Sequence, residues 1–530
     1  MKKNKVFYNG RIYTQADGII ADSMAVRGDR IVAIGRDLEH DSQTRGFAKI
    51  DLKGLTVIPG LADAHTHFYY LAMAQSDVHL DGLMSFDEVL AAIETHAATL
   101  GADEWVIGQG FAPDSWKKHV DPDKDMLDKV TGRHPAAIFS KDMHTLWVNS
   151  RALKLAGLSD KTVDPEGGRI ERQSDGEPTG LFREKPAFEP VLDRIRPPSP
   201  GRLRRLFKKA VAATHSRGVT SVHSFDGIEA LDFFTGLAAA GQLDLRINQY
   251  PPAEKLPLLK KRGIRPEIDD ARFAVSGVKI FADGSLGSQT AYCFNKYPGS
   301  DNNYGVEVTT QSEMLTLIRE AAELGLPCAI HAIGDRAVAN VIDCFEQAPP
   351  LDPPTRHRVE HVQMIRRKDI PRFARLDLTA SVQPTHCSAD VNMIDKYWGK
   401  RGRNCYIFKT MFKNRIPLAF GSDAPIEPLD PLAGIYSAVT RLPRRGSRGF
   451  YPEERLSVAE AVFASTVGPA FAVGEHHLRG ALRPDLKADF VVLARDIYRR
   501  SPTSIAATHV EATFLDGSPV FVNDPCSLKL

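Results

Sequence analysis

The stretch GLADAHTHFYYLA, residues 60–72, places two histidines two positions apart. His65 and His67 follow the apolar run LTVIPG, which is typical of a buried strand. Because side chains alternate between the faces of a strand, both imidazoles would point to the same side and could share one metal ion. The alternative is that the two histidines only lie near each other on a polar surface.

Four further side chains with metal-binding or acid–base chemistry follow short apolar runs. They lie in VKIFADG, AIHAIGD, RVEHVQ and FGSDAP, and they are Lys279, His331, His361 and Asp423. Each alone has a structural explanation, since a strand histidine can be a satisfied core residue and Asp423 could cap a turn. Equivalent positions at the ends of several strands favour one shared centre instead. Imidazole and carboxylate ligands suit a divalent ion such as Zn²⁺.

The elements that must position these side chains alternate between strands and helices. The apolar runs predict eight strands, in LTVIPGLADAHTH, GVTSVHSF, LDLRINQYP, SGVKIFADG, LPCAIHAIG, HRVEHVQ, LTASVQPTH and IPLAFGSD. Between them, apolar residues spaced three and four apart predict helices, for example in SEMLTLIREAAELG and DRAVANVIDCFEQ. Eight strand-then-helix units predict an α/β fold, the (β/α)₈ TIM barrel, whose chemistry lies at the carboxyl ends of the strands.

Two other parts of the chain depart from this alternation. Short β-branched runs with turn residues lie near both termini. We therefore predict a composite β-sandwich from residues 1–58 and 471–530, and a barrel over residues 59–470. The interval between the first two barrel strands is too long for one helix, and we interpret residues 69–200 as an insertion after the first barrel strand. At that place it would shape a substrate pocket.

Composition limits the kinds of partner. The 68 basic and 66 acidic residues leave a formal net charge of +2, so the charge balance does not indicate a nucleic acid or a membrane surface as a partner. No uninterrupted apolar stretch is long enough to span a bilayer, and six scattered cysteines without a C-x-x-C pair are typical of reduced thiols. We expect a cytoplasmic protein with a small-molecule substrate, and the sequence leaves open whether it forms a homo-oligomer.

Lys279 is an unexpected metal ligand, because an ammonium group repels cations. It could bind metal only if the amine is desolvated, loses its proton and reacts with carbon dioxide to give a carbamate, which can bridge two ions as a carboxylate does. The alternative is an ion pair with an acid such as Asp283. Six ligands are more than one tetrahedral ion can use, so we predict two Zn²⁺ ions per chain.

Taken together, the motifs DAHTH, VKIFADGSLGSQTA, HAIGDRAV, VEHVQ and FGSDAPIEPLDPLAGIYSAV resemble those of the metal-dependent amidohydrolase superfamily. The resemblance is to the branch of N-substituted formamide deformylases and YtcJ-like hydrolases, and it extends over nearly the whole chain. It implies that His65, His67 and Asp423 hold one metal ion and that His331 and His361 hold the other. Carbamylated Lys279 would bridge the two ions.

The chemistry implied is hydrolysis by a metal-activated water. Asp423 would accept a proton from this water and deliver it to the leaving amine. The predicted reaction is therefore cleavage of an amide, or another non-peptide carbon–nitrogen bond, in a small molecule. Two alternatives are a lyase or isomerase on the same metal site and a regulatory binding protein that has lost catalysis. The second alternative predicts missing ligands, and none of the six is missing.

Four residues are candidates for contacts with the substrate. Phe111, Trp116 and His144 lie in the insertion, and His386 ends the seventh predicted strand in QPTH. The alternative for the aromatic residues is that they form the insertion's own core.

Overall fold

The structure of the protein, a computed structural model, describes residues 4–16, 18–101, 104–113, 116–141, 143, 145–165, 167–196, 198–266, 271–352, 355–443, 448–524 and 528. The chain forms two compact units. One consists of Met1–Leu71 with Ala210–Leu530, and the other consists of Ala72–Lys209. The second unit overlaps the predicted insertion, whose boundaries, like those of the other predicted domains, stay predictions.

The amino-terminal segment consists of short strands, as its β-branched runs and turn residues predict. They are β1 (Lys5–Tyr8), β2 (Arg11–Tyr13), β3 (Ile20–Ala21), β4 (Ser23–Arg27), β5 (Arg30–Gly35), β6 (Ala48–Asp51) and β7 (Thr56–Pro59). One sheet has the order β5-β4-β1-β6. Gly28, with a φ of 66°, begins the two-residue turn between β4 and β5, where a left-handed backbone favours glycine.

The run LTVIPGLADAHTH, predicted as one strand, is two strands. β7 ends at Pro59, and β8 (Leu61–Thr66) begins after Gly60, where any side chain would collide with Thr220. The two strands belong to different sheets. The break at Pro59 and Gly60 fits a proline that cannot donate to a sheet and a glycine that allows close approach of another strand.

The unit Ala72–Lys209 has its own sheet and its own apolar core. After α1 (Phe68–Ala74), its elements are β9 (Val78–His79), α2 (Phe86–Ala97), β10 (Val106–Phe111), α3 (Lys124–Thr131), β11 (Ala136–Ser140), β12 (Thr145–Val148), α4 (Ser150–Ala156), β13 (Arg169–Arg172), β14 (Pro178–Arg183) and α5 (Lys185–Leu192). The sheet order is β13-β14-β12-β11-β10-β9. Helix α2 begins with a capping box formed by Ser85 and Glu88.

The following part of the chain alternates between strands and helices, as predicted. Its elements are α6 (Pro200–Ser216), β15 (Val219–Ser224), α7 (Ile228–Ala239), β16 (Arg246–Gln249), α8 (Leu256–Lys261), β17 (Phe273–Val275), β18 (Val278–Phe281), α9 (Gln311–Glu323), β19 (Cys328–Ala332), α10 (Asp335–Phe345), β20 (Arg358–His361), α11 (Ile370–Arg375), β21 (Thr379–Val382), α12 (Pro384–Tyr397), α13 (Phe408–Lys413), β22 (Leu418–Phe420), α14 (Pro431–Thr440), α15 (Val458–Ala464) and α16 (Val467–Ala472). The eight predicted strands correspond to β8, β15, β16 and β18–β22, and β17 is an additional short strand.

These strands form two parallel sheets, with the orders β17-β16-β15-β8 and β18-β19-β20-β21-β22. Isolated parallel bridges join Thr66 to Ala424 and Pro252 to Lys279, so segments of one sheet pair with segments of the other. Strands β8, β15, β19 and β20 are buried along their whole length, as expected for parallel strands covered on both faces. A polar side chain on such a strand therefore needs a buried partner. The architecture is a mixed α/β fold.

The carboxyl-terminal strands pair with the amino-terminal ones. They are β23 (Phe490–Leu493), β24 (Val510–Leu515) and β25 (Ser518–Val522), and their sheet has the order β25-β24-β23-β7-β2-β3. The rings of Phe7, Phe490 and Phe514 pack together in one apolar cluster. The two ends of the chain thus share a core. In the part of the chain that the structure describes, no helix combines the length and apolarity needed to cross a membrane.

Candidate metal centre

The two histidines of DAHTH lie at the carboxyl end of β8, and both face Asp423. Asp423 follows β22, and its N–H donates a 2.7 Å hydrogen bond to the carbonyl of His65. The Oδ1 atom of Asp423 lies 3.5 Å from Nε2 of His65 and 3.6 Å from Nε2 of His67. The two imidazoles converge on one carboxylate, as the alternation of side chains along a strand predicts.

Two further predicted ligands lie beside this group. His331 is in β19 and His361 ends β20, and their ring centroids are 4.5 Å apart. The ring of His361 lies 4.9 Å from that of His65. One ligand atom each from His65, His361 and Asp423 lies within 4.8 Å of the others, a spacing that one cation could fill.

The backbone of two of these residues is left-handed. The φ angle is 71° at His361 and 62° at Asp423. Residues other than glycine rarely adopt such angles, and those that do concentrate at functional sites, where the surrounding structure holds them in place.

The histidines are also held on the side away from the cluster. Nδ1 of His65 lies 2.6 Å from Oε2 of Glu360, and Nδ1 of His361 lies 2.8 Å from Oε1 of Gln383. Partners of this kind fix the orientation and tautomer of an imidazole and leave Nε2 for a metal. The sequence interpretation missed both partners, although a charged residue within the buried strand RVEH was a signal that could have found Glu360.

His67 and His331 have weaker outer partners. Oδ1 of Asp226 lies 3.8 Å from Nδ1 of His67, and Asp226 itself accepts hydrogen bonds from Ser224 Oγ and from the N–H of Tyr69. Nε2 of His331 lies 3.1 Å from the carbonyl oxygen of Gly284. Asp226 is a further buried residue that the sequence patterns did not single out.

Lys279 is buried in β18, with 2% of its surface exposed. Within the described residues its Nζ atom has no hydrogen-bond partner, and it lies 4.7 Å and 4.9 Å from the ring centroids of Phe225 and Phe281. Burial lowers the pKa of the amine from 10.5 to about 8, against the opposing charges of Glu360 and Asp423. A neutral amine is therefore accessible near physiological pH.

The alternative partner of Lys279, Asp283, is engaged elsewhere. Its carboxylate accepts hydrogen bonds from the N–H groups of Tyr292, Ile333 and Gly334. No ion pair between Lys279 and Asp283 is found among the described side chains. The ion-pair interpretation therefore has no support in the geometry.

The protonation states suit metal binding. Burial, reinforced by the charge of Lys279, lowers the pKa of His67 to about 4 and that of His331 to about 3. Burial raises the pKa of the Asp423 carboxyl to about 7, although Lys279 opposes this effect. The imidazoles are neutral near pH 7, which is the form that binds metal ions.

The donor set therefore fits a divalent cation. Neutral imidazoles and a carboxylate are the usual ligands of such an ion. The buried Lys279 amine, which has no hydrogen-bond partner among the described residues, is explained if it takes part in the same site. A purely structural role would leave this amine buried with no hydrogen bond to the described residues, which is unfavourable.

The comparison with known proteins agrees with this geometry. Residues 48–521 match the amidohydrolase family. The chain belongs to this family. Among its relatives, it is 31% identical to LONG AFTER FAR-RED 3 of Arabidopsis thaliana over 97% of this chain and 91% of that protein. It is 30% identical, over 97% of this chain and 99% of the other, to the protein named as amidohydrolase YtcJ of Bacillus subtilis (strain 168).

Two further similarities concern hydrolases. The amidohydrolase chain is 26% identical to N-substituted formamide deformylase of Arthrobacter pascens, over 94% of each protein. A crystal structure of an uncharacterized metal-dependent hydrolase from Pyrococcus horikoshii OT3 superposes with a TM-score of 0.80 at 27% identity, covering 94% of this chain and 99% of the other. Family and fold together support a metal-dependent hydrolase.

The residues predicted to contact the substrate lie in different parts of the structure. Phe111 and Trp116 are buried in the core of the unit Ala72–Lys209, where their rings pack 5.7 Å from Trp147 and 5.2 Å from Phe86. This placement supports the alternative of a local core, and contact with a substrate stays a prediction. His144 lies outside the described residues.

The sequence suggested that His386 ends a strand, but in the structure it does not. β21 ends at Val382, and His386 lies in the first turn of α12, which begins at Pro384, because proline suits the first turn of a helix. Its ring lies 6.3 Å from that of His361 and nearly parallel to it, at 6°. His386 is thus beside the candidate metal centre, and its contact with a substrate stays a prediction.

Proposed function

We propose that this amidohydrolase cleaves an amide, or another non-peptide carbon–nitrogen bond, in a small molecule. The observation that carries the proposal is the convergence of His65, His361 and Asp423 within 4.8 Å beside the buried amine of Lys279. The name of the deformylase relative supports an amide as the substrate class.

The proposed scaffold is a closed (β/α)₈ barrel with a composite β-sandwich. The bridges from Thr66 to Ala424 and from Pro252 to Lys279 support closure, since they link the two parallel sheets on both sides. The pairing of β7 with β23 and the shared aromatic core support one sandwich built from both termini.

The proposed cofactor is a pair of Zn²⁺ ions. His65, His67 and Asp423 would hold one ion, and His331 and His361 would hold the other. The neutral amine of Lys279 would add to the carbon of carbon dioxide and release one proton, and the resulting carbamate would bridge the ions. When bound, the ions supply Lewis acidity that polarises a carbonyl group and acidifies water.

The protein's own residues would transfer protons and orient the substrate. Oδ1 of Asp423 faces the two imidazoles of DAHTH, so Oδ2 would accept the proton of the attacking water and return it to the leaving nitrogen. His386, beside His361, would contact the substrate. The exposed ring of Phe281, 5.2 Å from that of His331, would pack against an apolar substituent.

The test is a screen of metal-replete protein against N-formyl amines, other small amides, cyclic ureas and dipeptides in ¹⁸O-labelled water. We expect amine release from a small amide, one ¹⁸O atom in the acid product and no dipeptide cleavage. Product formation without incorporation of ¹⁸O would refute hydrolysis and favour the lyase or isomerase alternative. Specific ligand binding with no turnover would favour a regulatory protein.

Three expectations from composition belong to the same proposal. They are a small-molecule substrate, no nucleic-acid or membrane partner, and a cytoplasmic location.

A further inference from the structure

Glu360 occupies an unusual position for a charged residue. It lies in the parallel strand β20, directly before His361, and its side chain is fully buried. A buried carboxylate is unfavourable unless hydrogen bonds and an opposite charge compensate it. Its partners should therefore indicate why the strand carries it.

The first partner is Arg358, two residues earlier and also fully buried. Nε of Arg358 donates to Oε1 of Glu360 over 2.5 Å, and Nη2 donates to Oε2 over 3.1 Å. The guanidinium also donates to the carbonyl of Ala64, 2.6 Å away in β8, and to Oγ of Ser381 in β21. Arg358 thereby ties Glu360 to the strand that carries His65.

The second partner is His65 itself. Both oxygens of Glu360 accept from the guanidinium, which can only donate, and Oε2 also lies 2.6 Å from Nδ1 of His65. Hydrogen bonding therefore requires Nδ1 of His65 to carry the proton. Nε2 is then the nitrogen with a free lone pair, and Nε2 is the atom that faces Asp423.

We infer that Glu360 is a positioning residue that fixes the tautomer and orientation of His65 for metal binding. The inference rests on the proposed function, because it assumes that His65 is a metal ligand. Arg358 holds the carboxylate in place, and the pair acts as a preformed support that exists before the ion arrives.

The test compares Glu360→Gln with Ser381→Ala in the full chain. The first variant has nearly the same shape, but its NH₂ group must face either the Arg358 guanidinium or Nδ1 of His65, and both of these are donors. The hydrogen bond to His65 is therefore weakened or reversed. The second variant removes a hydroxyl that accepts from Arg358 and also hydrogen-bonds to Glu360, and it leaves the bond between Glu360 and His65 intact. Both variants perturb the network, and only one perturbs the ligand.

The measurement is Zn²⁺ binding by chelator-stripped protein, in competition with a chromophoric chelator. We expect Glu360→Gln to weaken the affinity roughly ten- to a hundredfold, and Ser381→Ala to leave it within about twofold. Melting of the metal-free proteins shows whether each variant is folded. Equal affinity of Glu360→Gln and wild type, or equal losses in both variants, would overturn the inference.

A second measurement does not depend on the folding of a variant. Long-range ¹H–¹⁵N spectra of histidine-labelled, metal-free wild type are expected to show His65 protonated on Nδ1, with the signal assigned by its loss in His65→Asn. Protonation on Nε2 would overturn the inference. Failure of wild type to bind Zn²⁺ at all would instead refute the proposed function, so the two failures are distinguishable.

Discussion

Replacing Lys279 by methionine should stabilise the metal-free protein while it destroys the metal site. The amine of Lys279 is buried between Phe225 and Phe281, and among the described residues it has no hydrogen-bond partner. Methionine is similar in length, suits these aromatic neighbours and carries no charge. The substitution therefore removes an uncompensated polar group from the interior rather than a stabilising contact.

The magnitude follows from the pKa of the amine. Burial lowers this pKa from 10.5 to about 8, so the unfolded chain binds a proton more tightly than the folded chain does. At pH 7 the difference opposes folding by about 3 kcal/mol, at about 1.4 kcal/mol for each tenfold change in proton affinity. Between pH 8 and 10.5 the folded chain has lost this proton while the unfolded chain still binds it, so rising pH disfavours the unfolded chain and the penalty falls below about 1 kcal/mol at pH 10.

The assay is urea unfolding of chelator-stripped protein at pH 7 and pH 10. At pH 7 the free energy of unfolding of Lys279→Met should exceed that of wild type by up to about 3 kcal/mol, and the difference should shrink at pH 10. The control is Lys260→Met, because Lys260 is exposed and pairs with Glu323 at the surface, and it should change stability by less than about 1 kcal/mol. A less stable Lys279→Met at pH 7 would refute the reasoning, since it would mean that the buried amine has a stabilising partner.

Other predictions concern the metal site and the unit Ala72–Lys209. Asp423→Asn should lower kcat by roughly 10²- to 10⁴-fold with little change in KM, because an amide cannot carry the proton; unchanged turnover would remove Asp423 from the proton transfer. Elemental analysis should find two metal equivalents in active wild type and fewer in Lys279→Ala, and short carboxylic acids should partly restore the metal content and activity of this variant by filling the place of the carbamate. Lys279→Arg with normal metal content would contradict the carbamate. Phe111→Ala should destabilise the unit by about 3 to 5 kcal/mol, seen as earlier proteolysis within it, and a change in substrate preference without destabilisation would instead place Phe111 in the substrate pocket.

The sequence by itself determined much of the local structure and singled out the candidate ligands. Burial on both faces makes a parallel strand apolar, so the runs that became β8, β19 and β20 could be recognised without a structure. Against such a background, histidines at strand ends stand out. The two-residue spacing of His65 and His67 predicted their convergence because that convergence depends only on the alternation of side chains along one strand.

The tertiary structure alone decided what surrounds the candidate ligands. Glu360 lies 295 residues from His65 in sequence, and no local pattern specifies that the two side chains meet. The burial of Lys279 also depends on Phe225, which is contributed by a different strand end. These contacts arise from the register of parallel strands that are distant in the chain, and that register is set by packing of the whole sheet.

The same reasoning explains where the sequence interpretation was wrong or incomplete. The apolar run before DAHTH became two strands in different sheets, because Pro59 and Gly60 interrupt it and β7 finds a partner in β23 at the other end of the chain. The sequence around Phe111 predicts a strand whether its side chain faces a substrate pocket or an apolar core. Only the assembled sheet and helices of its unit bury Phe111 beside Trp147. Side-chain type and spacing are local properties, whereas burial and hydrogen-bond partners are properties of the assembled fold.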